Sequence, residues 1–133
     1  MNREKEREVV IPKNAAPLNV PLSPAVRYGN LLFVSGQVST DVEQSKPIVG
    51  TIEEETEQAL KNLSDLLKGA GSSLECVLKV RVFLRDMKDY SKMNEVYGRY
   101  FPKDPPARST LGNIALAAQY KVEIEAVAFI PEK

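Results

Sequence analysis

The sequence predicts a two-layer α+β sandwich, one β-sheet with two helices on a single face. Three observations lead there. Residues 51–71 and 91–101 repeat apolar side chains at helical spacing. Residues 76–86 and 121–130 alternate between two faces, as half-buried strands do. The coarse order is strand, strand, strand, helix, strand, helix, strand, strand, and two helices cover only one face of such a sheet.

Each element has a local reason. Residues 1–8 are rich in charge and are expected as a flexible or surface-laid tail of a single domain spanning 1–133. The stretch "IPKNAAPLNVPLSPAV" (11–26) carries four prolines, which excludes a regular helix and favours extended, irregular chain. "RYGNLLFVSGQV" (27–38) reads as a hairpin turning at Gly29-Asn30. Gly36 interrupts its second strand, marking a bulge or a close approach to a ligand. In 51–71, Thr51 and Glu54 form a capping-box pattern, and Ala59, Leu60, Leu63, Leu66, Leu67 and Ala70 share one face. Glu53, Glu54 and Glu55 favour the helix start through its dipole and are read as a solvated face. Gly69 or Gly71 ends the helix.

In the strand 76–86, Cys76, Leu78, Val80, Val82 and Leu84 are expected on the helix side. Val77, Lys79, Arg81, Phe83 and Arg85 are expected on the other. Ser91 is the expected cap of the second helix, whose apolar stripe is Met93, Val96, Tyr97, Tyr100 and Phe101. A strand begins near Arg108, and the last strand again has two faces. The face away from the helices mixes Phe83, Val127 and Phe129 with Lys79, Arg81, Glu123 and Glu125. That is too apolar for a free surface, and it predicts packing against further copies of the chain.

Composition narrows the chemistry. The 133 residues are 43% hydrophobic and 27% charged, a globular balance. Lysine plus arginine equals aspartate plus glutamate at 18 each, so no basic surplus favours a nucleic-acid partner. Histidine is absent, which removes histidine-based catalytic triads and imidazole metal sites. No metal site is expected. Proton transfer near neutrality must then use a carboxylate, a tyrosine, a lysine or water. Cys76 is the one cysteine and is expected as a buried core thiol. No signal-like or membrane-length apolar run occurs, so a cytoplasmic location is the expectation.

Arg108 is the first candidate for function. It follows the rigid "PPA" of "PPARST" (105–110) and presents a planar fork suited to a carboxylate. From these residues alone the first reading is an ion pair with Glu123 or Glu125, and the carboxylate clamp is the alternative. Glu123 is the natural companion, able to orient water or carry a proton, or to make an interface ion pair. The segment from Arg108 is expected to pair with the strand that carries Glu123. Ser35, Gly36, Asn94 and Thr110 offer further hydrogen-bonding groups.

"YGNLLFVSGQV", "VYGRYFPKDPPARST" and "KVEIEAVAF" together resemble the reactive intermediate deaminase family, also called Rid, YjgF or L-PSP endoribonuclease. The resemblance runs from about residue 11 to 130. It implies a chorismate-mutase-like fold, a homotrimer with its sheets inside, and sites in clefts between subunits. The implied reaction is hydrolysis of reactive 2-imino and enamine acids to 2-keto acids and ammonia, without a cofactor. By the same resemblance, Arg108 binds the substrate carboxylate, Glu123 positions water, and Ser35, Gly36, Asn94 and Thr110 line the site. Leu22 stands where the family's deaminases carry a site tyrosine, which implies a more apolar cleft. Thr110 stands where many members have cysteine, and "LAAQYKVEI" lacks the usual proline. Two alternatives remain at this stage: a non-catalytic keto-acid binder using the same cleft, and an endoribonuclease or translation inhibitor.

Overall fold

Gly29 makes the first tight turn possible. It takes a φ of 62°, a left-handed conformation open to glycine, and closes a two-residue loop between Tyr28 and Leu31. The strands so joined are β2 (Ala25–Tyr28) and β3 (Leu31–Gln37). They belong to the computed structural model of the chain, which describes residues 6–13, 15 and 17–132.

Before them comes β1 (Arg7–Val10), and after them a small hairpin of β4 (Thr40–Asp41) and β5 (Lys46–Pro47). Then follow α1 (Ile52–Gly69), β6 (Val77–Leu84), α2 (Tyr90–Tyr100), β7 (Ala107–Leu111) and β8 (Val122–Phe129). The main sheet has the order β1-β2-β3-β8-β6-β7. Its pairs are antiparallel except β6 with β7, which run parallel. The expected two-layer α+β sandwich is therefore present, with a mixed sheet and two helices against it.

The core lies between the sheet and the helices. Leu32 and Val34, Val80, Val82 and Leu84, and Val122, Ile124, Ala126 and Ala128 meet Leu60, Leu63, Leu67, Met93 and Val96 there. Thr51 caps α1 as expected: its Oγ1 accepts from the Glu54 amide at 3.1 Å, and its own amide donates to Glu54 Oε1 at 2.9 Å. At the other end Gly71 takes a φ of 85° and the Ser72 amide donates to the Leu67 carbonyl at 2.8 Å.

The structure departs from the sequence reading in several places. Arg7 and Glu8, expected in a tail, start β1 opposite Tyr28 and Arg27. Leu78 is exposed and Val77 is buried, because the β6–β8 register shifts between Val77 and Lys79 and reverses the alternation at that end. Cys76 is buried, as expected, but in a 3-10 turn ahead of the strand. Ser91 does not cap α2, which starts at Tyr90 from a 3-10 turn whose Asp86 side chain accepts from Lys88. Glu55 is not solvated: it is 1% exposed, accepts from the Lys121 amide at 3.0 Å and pairs with Lys121 Nζ at 3.2 Å. A helix-start carboxylate thus fixes the approach to β8, the strand that carries Glu123.

The face of the sheet away from the helices mixes apolar and charged side chains, as the alternation predicts. Tyr28, Leu31, Phe33 and Leu111 are exposed there beside half-buried Phe83, Val127 and Phe129. Its charges are partly matched within the chain, since Arg81 pairs with Glu125 across β6 and β8 at 2.9 Å.

Candidate functional site

Arg108 is on the edge strand, and its surroundings come from α2. In the parallel β6–β7 register Arg108 lies opposite Val80, and Thr110 opposite Val82. Val80 and Val82 are buried under the helices, so Arg108 and Thr110 point to the helix side. Tyr90, Asn94 and Tyr97, spaced four and three apart, form the stripe of α2 near them. The Arg108 guanidinium sits 4.6 Å from the Tyr97 ring centroid and 5.7 Å from that of Tyr90. One of its nitrogens donates to the Tyr90 hydroxyl at 3.3 Å. These contacts fix the plane of the fork and leave donors to spare.

No carboxylate pairs with Arg108 among the described residues. The ion pair with Glu123 or Glu125 that the bare sequence allowed is not made. β7 pairs with β6 rather than with β8, and Glu125 is held by Arg81. The same corner contains unpartnered polar atoms: Asn94 Oδ1, the Tyr97 hydroxyl and Thr110 Oγ1 are buried without a hydrogen-bond partner. Burial pushes the Tyr97 hydroxyl up to about 12 against the pull of Arg108, so it stays protonated through the physiological range.

A second group gathers elsewhere. The β3–β8 register shifts between Val34 and Gln37, and the bulge contains Ser35 and Gly36. The Ser35 hydroxyl donates to the Ser23 carbonyl at 2.6 Å, tying the bulge to the extended segment before β2. The Glu123 side chain lies directly over Gly36: a methyl group at Gly36 would sit 2.6 Å from its carboxyl carbon. Gly36 thus sits in a bulge, one of the two readings the sequence allowed, and the side chain that approaches it closely is that of Glu123. Burial, and then the nearby Glu125, push the Glu123 carboxyl above the usual glutamate range. Ser35 and Gly36 also line an open cleft of about 710 Å³, together with Leu22, Val20, Val26, Phe33, Arg7 and Glu125.

The two groups do not meet within one chain. Glu123 lies opposite Phe83, on the uncovered face, while Arg108 is on the helix side. Two strand spacings, about 10 Å, also separate β7 from β8 across β6. Of the residues singled out from the sequence, the fold brings Arg108, Asn94 and Thr110 together at one edge. It brings Glu123 over Gly36 at the β3–β8 bulge inside the sheet, and Leu22, Ser35 and Gly36 line one cleft.

Comparisons with known proteins identify the family of the chain. The family model described as Endoribonuclease L-PSP matches residues 13–130. The chain belongs to the Rid family. This Rid protein is 41% identical to a RutC family protein of Pyrococcus horikoshii, over 92% of the chain and 98% of the relative. It is also 41% identical to the 2-iminobutanoate/2-iminopropanoate deaminase of Mus musculus, over 90% of the chain and 89% of the relative. Among solved structures it resembles yeast Mmf1, with a TM-score of 0.88, 35% identity and coverage of 95% and 100% of the two chains. It resembles E. coli TdcF with bound serine at a TM-score of 0.83 and 28% identity, covering 92% and 98%. No helix among the described residues is long and apolar enough to cross a membrane.

Sequence reasoning missed Tyr90 as a partner of Arg108, and it took Tyr97 for core packing alone. The signal was the spacing of two tyrosines and an asparagine along one face of α2, each with a polar tip.

Proposed function

We propose that this Rid protein hydrolyses 2-imino acids to 2-keto acids and ammonia, at sites shared between copies of the chain in a homotrimer. The observation that carries the proposal is the state of Arg108: oriented by two tyrosines and without a carboxylate partner among the described residues. A permanently charged fork in that state fits the carboxylate of a small acid. The exposed apolar side chains of the uncovered face support association, and a neighbouring copy is the means by which an edge carrying Arg108 reaches the Glu123 carboxylate over Gly36.

In this reading Arg108 and the nearby hydroxyls of Tyr97 and Thr110 hold the substrate carboxylate and set its orientation, which lowers the entropic part of the barrier. Asn94 supports the same pocket. From the other copy, the Glu123 carboxylate accepts a hydrogen bond from water above the Gly36 backbone. The water oxygen bonds to the imine carbon as the C=N π pair moves onto nitrogen. The water proton passes through Glu123 to that nitrogen. The hydroxyl proton then passes through Glu123 to the amino nitrogen, the oxygen's electron pair forms the keto π bond, and the C–N bond breaks to release ammonia. The raised proton affinity of Glu123 suits a carboxylate that takes up and returns a proton. These steps involve only side chains, substrate and water. The site belongs to a protein we place in the cytoplasm, although relatives include a chloroplastic and a mitochondrial protein.

The experiment generates imines with an amino-acid oxidase and compares 2-keto acid release with and without the protein. Acceleration by the wild type, and loss of about 100-fold or more in Arg108→Ala with the oligomer intact, is the expected result. Full activity of Arg108→Ala overturns the assignment. A second reading, a carboxylate binder without turnover, is favoured by the resemblance to TdcF with bound serine. Keto-acid binding with no acceleration would establish it. A ribonuclease reading has less behind it, since the net charge is zero and histidine is absent. Salt-sensitive RNA binding would support that reading.

A further inference from the structure

One polar atom beside Arg108 is not suited to a carboxylate. Tyr90, Asn94 and Tyr97 follow one stripe of α2. The Arg108 guanidinium reaches the rings at both ends of that stripe, 5.7 Å from the Tyr90 centroid and 4.6 Å from the Tyr97 centroid. Asn94 stands about one turn from each, so it borders the space the guanidinium spans. Three buried side-chain atoms at this corner lack a partner: the Tyr97 hydroxyl, Thr110 Oγ1 and Asn94 Oδ1. Arg108 does not answer Asn94, because its bond goes to the Tyr90 hydroxyl. The two hydroxyls can donate to a carboxylate held by Arg108. Asn94 Oδ1 cannot, since an amide oxygen only accepts and repels a carboxylate oxygen. A buried acceptor without a donor is costly, so a ligand that fits this corner brings a proton for it.

We propose that Asn94 Oδ1 accepts the N–H of the substrate imine, and that this bond lets the site tell a 2-imino acid from its 2-keto product. The inference rests on the deaminase reading for the identity of the ligand. In a 2-imino acid the nitrogen is bonded to the carbon that carries the carboxylate. With the carboxylate on Arg108, that nitrogen stays within the same corner of the site. It carries a proton, whereas the keto oxygen that replaces it carries none. Substrate therefore satisfies Asn94, and product sets a second acceptor against it. A buried acceptor left unanswered lowers affinity about tenfold. Hydrolysis thus loosens its own product, while the Tyr97 and Thr110 hydroxyls and Arg108 hold the carboxylate of either acid alike.

Two stable planar acids test this without turnover. Pyrrole-2-carboxylate carries an N–H beside the carbon that bears the carboxylate, as the imine does. Furan-2-carboxylate has an oxygen there and nearly the same shape. Titration calorimetry on the intact oligomer compares them. The wild type should bind pyrrole-2-carboxylate about tenfold more tightly, and Asn94→Ala should bring the two within about twofold of each other. Were Asn94 only a support for the fold or for Arg108, its loss would weaken both acids and leave their ratio unchanged, and that result overturns the inference. Equal affinity in the wild type, tighter binding of the furan acid, or binding of neither overturns it too. The wild-type comparison needs no variant, so it decides the matter even if Asn94→Ala misfolds. In the coupled assay Asn94→Ala should lose about tenfold in kcat/KM for 2-iminopropionate. Failure of the two readings is distinguishable: preference for the pyrrole acid without imine turnover sinks the deaminase proposal and upholds N–H recognition at Asn94. Turnover with equal affinity for the two acids does the reverse.

Discussion

Replacing Gly36 with alanine tests the placement of Glu123 through a single added carbon. The new methyl carbon would lie 2.6 Å from the Glu123 carboxyl carbon and 2.8 Å from its Cγ, where ordinary contact begins at 3.4 Å. The carboxylate must therefore move by about 1 Å, and a displacement of that size at a reacting group costs about 100-fold in rate. Gly36 is not among the residues with positive φ, so alanine adds no backbone strain and the effect isolates the side-chain contact. Overpacking of this kind costs about 1–2 kcal/mol, because the Glu123 side chain is half-buried and has room to swing towards solvent. For a chain of this length that is a fall of about 5 °C in Tm. The assays are kcat/KM for 2-iminopropionate and a thermal melt of the same preparation. Activity within twofold of wild type would refute the reasoning, since it would mean that Glu123 need not stay over the bulge.

Three further predictions concern the carboxylates of Glu123 and Glu55. Glu123 must be ionised to accept the water proton, and its proton affinity is raised, so kcat/KM should fall with decreasing pH through a value above the ordinary glutamate pKa. The acid limb should vanish in Glu123→Gln along with most activity. The same shift makes folding take up a proton, so stability from this group is present at low pH and lost as pH rises through its folded pKa. Glu123→Gln should therefore melt higher than wild type at neutral pH, and a lower Tm there would contradict the burial argument. Glu55→Ala removes the acceptor of the Lys121 amide and its ion pair, and should cost about 2–3 kcal/mol by urea unfolding. A change below about 0.5 kcal/mol would show that the approach to β8 is held by other contacts.

The parts that were legible in the sequence are the local ones. The capping box of Thr51 and Glu54, the helical spacing of the leucines and the alternation of 121–130 are all short-range patterns, and the fold uses each as read. Strand pairing is long-range. Nothing in the spacing of Arg108 specifies that its strand joins the edge beside β6, on the opposite side from β8. The bulge at Val77–Lys79 was hidden for the same reason: it exists only relative to β8, and it reverses Leu78 and Val77. Glu55 looked like its neighbours Glu53 and Glu54 because a helix dipole favours all three alike. Its burial depends on the Lys121 amide arriving from 66 residues away. Within the candidate site, residue identities were legible, but their division into two groups on opposite faces was not.

That division leads to the measurement that tests the central claim most directly. Arg108→Ala and Glu123→Gln chains, each inactive alone, are co-expressed and purified as mixed oligomers through different tags. In a trimer that carries both chains, one of the three sites joins an intact Arg108 of one copy to an intact Glu123 of another, so about a third of wild-type activity should return. Mixed oligomers that form but remain as inactive as either parent would contradict a site shared between copies.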